Sequence, residues 1–87
     1  MERRNVVTGL DGKHPFAQNG FDPTHERAMR DAYAGALSDL SDEIYDGYLE
    51  RVQAVVAEAI TELAKAGQRD EELLRRYAVH RGRTVLP

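Results

Sequence analysis

The fold of this chain is decided by residues 44–66, which have the sequence IYDGYLERVQAVVAEAITELAKA. Their apolar residues recur at intervals of three and four, which is the repeat of an α-helix with one buried side. At roughly 100° per residue the apolar positions fall within an arc of about 160°, wider than the seam of a two-stranded coiled coil. We therefore expect one long amphipathic helix that packs against more than one neighbour.

A second apolar stripe precedes this segment and predicts another helix. Asp22 followed by Pro23 is typical of a helix cap and a first helical residue. Apolar residues then recur at helical spacing as far as Leu40. Small residues form one edge of this stripe and would let another helix backbone approach closely: Ala28, Ala32, Gly35 and Ala36.

The two apolar stripes cannot belong to one straight helix. If residues 23–66 were helical throughout, the apolar faces at the two ends would differ by roughly 150°. Ser38 and Ser41 are favourable N-cap residues, so a break is expected between the stripes. Because the connection is short, the sequence predicts an antiparallel hairpin of helices at about 23–38 and 42–66.

A third, shorter helix is predicted at about 70–81. Gly67 is suited to end the long helix, Asp70 to cap the next one, and Gly82 to close it. Residues 22–87 should thus form a single small all-α domain.

The remaining residues, 1–21, lack helical periodicity and predict an extended or partly disordered arm. The arm has more apolar residues than a purely solvated tail needs: Val6, Val7, Leu10, Phe16 and Phe21. Two explanations stay open, since these side chains could pack over the helices or contact a partner.

Composition limits the class of protein. The chain has 87 residues and a net charge of −3. It has no cysteine, and this absence excludes disulfide frameworks and thiolate metal sites. It has neither an apolar run long enough to span a membrane nor the apolar segment of a signal peptide, so a cytoplasmic protein is expected. Ten arginines against two lysines suggest a bacterial or phage origin.

The densest charged feature is a group of carboxylates around the expected start of the long helix. Such residues are favourable beside a helix N-terminus because of the helix dipole. They show neither a calcium-loop pattern nor the Glu-x-x-His pairs of di-iron bundles. The alternative is an acidic docking face for a basic partner. The candidates are Asp39, Asp42, Glu43, Asp46 and Glu50.

The C-terminal segment is basic and predicts an alternative function in nucleic-acid binding. Its candidates for phosphate contacts are Arg75, Arg76, Arg81 and Arg83. Basic residues near a helix C-terminus are also favourable with the dipole alone. The three histidines are scattered, and no catalytic, nucleotide-binding or metal-binding motif is present. We therefore expect no catalytic residue, cofactor or metal ligand.

The sequence favours a small non-catalytic protein with an adaptor-like, inhibitor-like or regulatory role that acts through protein–protein interaction. An apolar arc this broad also predicts self-association as a homodimer. The interface candidates are aromatic and aliphatic residues of the stripes and the arm: Tyr45, Tyr48, Leu49, Val52, Tyr33, Phe16 and Phe21. The alternatives are a nucleic-acid-binding regulator and an accessory subunit of a larger enzyme.

Overall fold

A computed structural model describes residues 20–87 of the protein. This part of the chain contains three helices and no strand, which confirms the all-α prediction. The helices are α1 (Pro23–Leu40), α2 (Leu49–Lys65) and α3 (Glu71–Arg83), and a short 3-10 turn (Ser41–Glu43) follows α1. No helix of the described part has the length and apolar character needed to cross a membrane.

The predicted arm, residues 1–21, lies outside the described residues except for its last two positions. Phe16 is therefore not described. Phe21 is half-buried, and its ring meets the ring of His25 edge-on, with centroids 4.8 Å apart. Phe21 thus packs within the domain.

The first and third helices begin where their caps predict. Asp22 Oδ1 accepts a hydrogen bond of 2.7 Å from the backbone N–H of His25. Asp70 Oδ1 accepts from the N–H groups of Glu72, at 2.8 Å, and Leu73, at 3.2 Å. Each carboxylate satisfies backbone donors that the first helical turn leaves without an internal partner.

The predicted start of the long helix is wrong, because α2 begins at Leu49 and not at residue 42. Ile44 is extended, with φ −87° and ψ 119°, and Gly47 has a left-handed φ of +90°. The turn is closed by a hydrogen bond of 3.0 Å from Tyr48 N–H to Tyr45 C=O. A left-handed residue interrupts a helix, and glycine adopts this conformation at low cost. Residues 44–48 therefore form a loop.

All three helices contribute to one core. α3 packs against both α1 and α2, more extensively than these two pack against each other. Gly35, in the small edge of α1, faces α3, since a Cβ added at Gly35 would lie 2.7 Å from Arg75 Cδ. The fully or almost fully buried apolar residues are Met29, Ala32, Ala36, Leu40, Val52, Val56, Ala59, Ile60, Ala64, Leu74 and Ala78.

Gly82 was predicted to end α3, and this prediction is wrong. The residue lies buried inside the last turn of the helix. A Cβ added at Gly82 would lie 2.7 Å from Leu40 Cδ1 and 3.2 Å from Val56 Cγ2. The absence of a side chain therefore lets α3 lie close to α1 and α2 at the same point.

We predict that Gly82→Leu lowers the free energy of unfolding by about 1–3 kcal/mol, since added bulk must displace packed core side chains. Leucine is a strong helix former, so a loss of helix propensity cannot explain the effect. Urea unfolding followed by circular dichroism measures the change. The control His80→Leu, at an exposed position of α3, should stay within about 0.5 kcal/mol of the wild type. Equal stability of the two variants would contradict the packing role of Gly82.

Val52→Asp and Val56→Asp should unfold the protein, because both side chains are fully buried and a charge there has no partner. Such a cost is comparable with the whole stability of a small domain. Ala54→Asp changes an exposed residue of the same helix and is the matched control. Circular dichroism and the melting temperature report the outcome. A Val56→Asp variant that melts like Ala54→Asp would show that the core is assigned wrongly.

Candidate docking groove

The arginines predicted to contact nucleic acid are each bound by carboxylates of the same chain. The most complete pair joins Arg83 to Glu43 of the 3-10 turn, with Nε 3.0 Å from Oε1 and Nη2 2.9 Å from Oε2. Two parallel hydrogen bonds of this kind are stronger and more directional than a single contact. Donation from Arg83 also lowers the pKa of the Glu43 carboxyl group below its usual value.

The other three arginines are also paired with carboxylates, but through single contacts. Arg75 Nε lies 3.4 Å from Asp39 Oδ2 on α1. Glu72 accepts from both Arg75 and Arg76, each at 3.1 Å. Arg81 Nη1 donates to Glu62 Oε1 of α2 at 3.0 Å. The basic C-terminal segment and the acidic middle of the sequence therefore meet across the fold.

The predicted acidic docking face divides into two groups. Asp39 and Glu43 are used within the domain, because they hold α3 against α1 and the 3-10 turn. Asp42, Asp46 and Glu50 are exposed and form no ion pair with another residue of the described part. Three carboxylates thus remain available, one each on the 3-10 turn, on the loop and on the start of α2.

A groove of about 580 Å³ lies where the chain passes from α1 to α2. It is formed by residues of α1, the 3-10 turn, the loop at 44–48 and the first residue of α2. Leu37 and Ile44 pack against the core, whereas Tyr45 is 61% and Leu49 is 49% exposed. We call this feature the docking groove, and its lining residues are Leu37, Ser41, Ile44, Tyr45, Asp46, Gly47 and Leu49.

The structure brings only part of the predicted interface to the surface. Tyr45 and Leu49 line the docking groove, and Tyr48 lies half-buried next to Leu49 in the chain, with its ring centroid 5.8 Å from the guanidinium carbon of Arg51. Val52 is fully buried in the core, so as an interface residue it is a wrong prediction. Tyr33 is half-buried against the core, and this burial raises its pKa.

Sequence reasoning missed the groove because it continued the helix through Gly47. The apolar pattern assigned Leu37 and Ile44 to two different helical stripes, which hid that both line one groove. The signal that could have revealed the loop is the dipeptide formed by Asp46 and Gly47, a frequent turn sequence.

A polar cluster joins the other end of the bundle. His25 is only 6% exposed, and its Nε2–H donates to the carbonyl of Gln68 at 2.8 Å. Its Nδ1 then accepts from Arg69 Nη1 at 3.3 Å, while Arg69 Nη2 donates to both oxygens of Asp22 at 2.9 and 2.8 Å. These partners tie the start of α1 to the connection between α2 and α3, so His25 has a structural role.

Residues 20–87 contain no candidate metal site, since no three of their His, Cys, Asp or Glu side chains lie close enough together to hold an ion. Comparison of the chain with protein-family models, curated proteins and solved structures gives no match.

The polar cluster predicts how stability depends on pH. Hydrogen bonds from His25 N–H and then from Arg69 lower the pKa of Asp22 below its ordinary 3.8. Because the folded-state pKa is depressed, this stabilisation is present above the unfolded pKa and is lost as the pH falls through the folded value. Asp22→Asn keeps an N-cap but removes the charge. We expect it to be less stable than the wild type at neutral pH, with the difference vanishing in strong acid.

Urea unfolding of both proteins near neutral pH and at a pH below the folded-state value provides the measurement. Asp42→Asn is the control, because Asp42 has no ion pair among the described residues. A stability gap for Asp22→Asn that is the same at both pH values would contradict the assigned role of the carboxylate.

Proposed function

We propose that this chain is a small, non-catalytic binding protein that holds an apolar segment of a protein partner, flanked by basic residues, in the docking groove. The observation that carries the proposal is the exposure of two large apolar side chains, Tyr45 and Leu49, beside a groove of about 580 Å³. Exposed apolar surface that surrounds a concave site is typical of interaction sites. The cytoplasmic location expected from the sequence is part of this proposal.

The groove has the chemical character of a site for a protein side chain. Leu37 and Ile44 are backed by the core and give it a firm apolar floor. Tyr45 stands at its edge, and tyrosine is among the residues that most often dominate binding energy at interfaces. A floor that is already ordered reduces the entropy lost when a partner binds.

Electrostatics favour a basic partner. Asp46 lines the groove, and Asp42 and Glu50 are near it in the chain, all three exposed and without an ion pair within residues 20–87. Carboxylates at the rim attract arginine or lysine side chains and accelerate association at low salt. An accessory subunit would use the same groove, its partner then being the larger catalytic chain.

The nucleic-acid alternative receives less support. Each of the four candidate arginines already donates to a carboxylate, so contact with phosphates would require these pairs to be broken or shared. Phosphate binding draws on cations whose charge is not neutralised by the protein itself.

A homodimer through the same groove is the second candidate, favoured by the exposure of Tyr45 and Leu49. A two-fold contact places the same patch of each copy against the other. The free carboxylates of both copies would then repel, so the dimer should strengthen as salt screens them. Light scattering at micromolar concentration tests this. A mass of one chain that does not change on tenfold concentration, at low and high salt, would exclude the dimer.

We predict that a peptide library displayed on phage and selected on the immobilised protein yields apolar residues next to arginine or lysine. Binding of the selected peptides should fall at least about tenfold in Leu49→Asp, since a buried unpaired charge costs more than about 1.4 kcal/mol. Leu73→Asp is the matched control, because Leu73 is an exposed leucine on α3, 43% accessible and outside the groove. Binding should also weaken with added salt.

Two outcomes of the selection would contradict the proposal. One is a set of peptides that bind Leu49→Asp as tightly as the wild type, and the other is a set without basic residues. Amide chemical shifts of the ¹⁵N-labelled protein identify the binding surface, with changes expected at Tyr45, Gly47 and Leu49.

A further inference from the structure

We propose that residues 1–13 of the same chain occupy the docking groove when no partner is bound, so that a partner must displace them. This inference rests on the proposed function, because it names the resident occupant of the same groove. It turns a passive binding site into a site whose occupancy is controlled by the chain itself.

The length of the N-terminal segment allows it to reach the groove. Gly20 adjoins the first turn of α1, and the groove begins at Leu37, about 21 Å further along that helix at roughly 1.5 Å per residue. An extended chain covers about 3.3 Å per residue, so Leu10 can lie up to ~33 Å and Val7 up to ~43 Å from Gly20. Phe16 can reach only ~13 Å and is too close to its attachment point. The reach therefore admits residues 1–13, whose apolar residues include Val6, Val7 and Leu10.

The residues within reach have the chemistry that the groove accepts. Val6 and Val7 are adjacent apolar residues, and Arg3 and Arg4 stand just before them. Apolar side chains suit the floor formed by the leucine and isoleucine of the groove. The two guanidinium groups suit the free carboxylate of Asp46 in the lining and those of Asp42 and Glu50 nearby in the chain. The whole segment carries three bases, with Lys13, against two acids. The net charge of the segment is thus positive, opposite in sign to the charge of the free carboxylates at and near the groove.

Covalent attachment makes even a weak contact effective. A tethered segment is present at an effective concentration in the millimolar range, so an affinity too low to bind in solution can keep the groove occupied. The apparent affinity for a partner then falls by the fraction of chains in which the groove is covered. Weakening the non-covalent contact between the segment and the groove should consequently strengthen partner binding.

The absence of cysteine from the natural chain provides a clean test. A nitroxide label on Asn5→Cys in the full ¹⁵N-labelled chain should broaden the amide signals of Tyr45, Gly47 and Leu49. Signals of Glu58 and Thr61, on a side of α2 away from the groove, should stay sharp. Reversal of charge with Arg3→Glu and Arg4→Glu should remove the broadening, and the same reversal should increase the affinity for the selected peptides.

Mixing separates the chain's own segment from that of a second copy. In the mixed sample, a ¹⁴N chain that has the nitroxide is added to a ¹⁵N chain that has none. If the groove signals broaden in this mixture as much as in the ¹⁵N chain with its own nitroxide, the occupant comes from another copy and the proposal is overturned. Groove signals that stay sharp in every sample overturn it as well. The peptide selection with Leu49→Asp remains an independent test of the groove, so the two failures are distinguishable.

Discussion

The close approach of α3 to both other helices is the constraint on which this structure depends. At Gly82 the backbone of α3 lies against Leu40 and Val56, where any side chain would collide. At Gly35 the aliphatic part of Arg75 comes equally close to α1. Because α3 touches both neighbours, the short third helix is the element that completes the core, and α1 and α2 share less surface with each other.

The ion pairs follow from this packing. Once α3 is in place, its arginines lie opposite carboxylates on α1, on the 3-10 turn and on α2. Exposed pairs of this kind contribute little individually, about 0–1 kcal/mol, so apolar burial dominates stability. Their value lies in orientation. The pair between Arg83 and Glu43 holds the turn after α1 against α3, and this turn begins the loop that carries the docking groove.

The features that could be predicted from the sequence are those that depend on residues close together in the chain. Asp22 and Asp70 cap their helices through side-chain contacts with the next two or three residues, which a sequence pattern contains in full. The small edge of α1 was predicted for the same reason, since spacing alone defines it. The all-α hairpin with a third helix could therefore be predicted.

The candidate site could be predicted only in part, because it depends on contacts between distant residues. The apolar pattern continues on both sides of Gly47, so periodicity predicted a helix where the structure has a turn. The predicted helix therefore contained no groove. A glycine near a helix end fits both a cap and a close contact, and only packing against Leu40 distinguishes them for Gly82. Val52 belonged to the same stripe as Leu49, yet one lies in the core and the other at the surface.

The order in which the chain is made gives the central position of α3 a further consequence. During translation α1 and α2 emerge first, and their apolar faces have no complete partner surface until residues 71–83 have followed. We therefore expect the core to be complete only when the third helix docks. Until then the nascent chain shows the side chains that later form the core to chaperones and proteases, which act on such exposed segments.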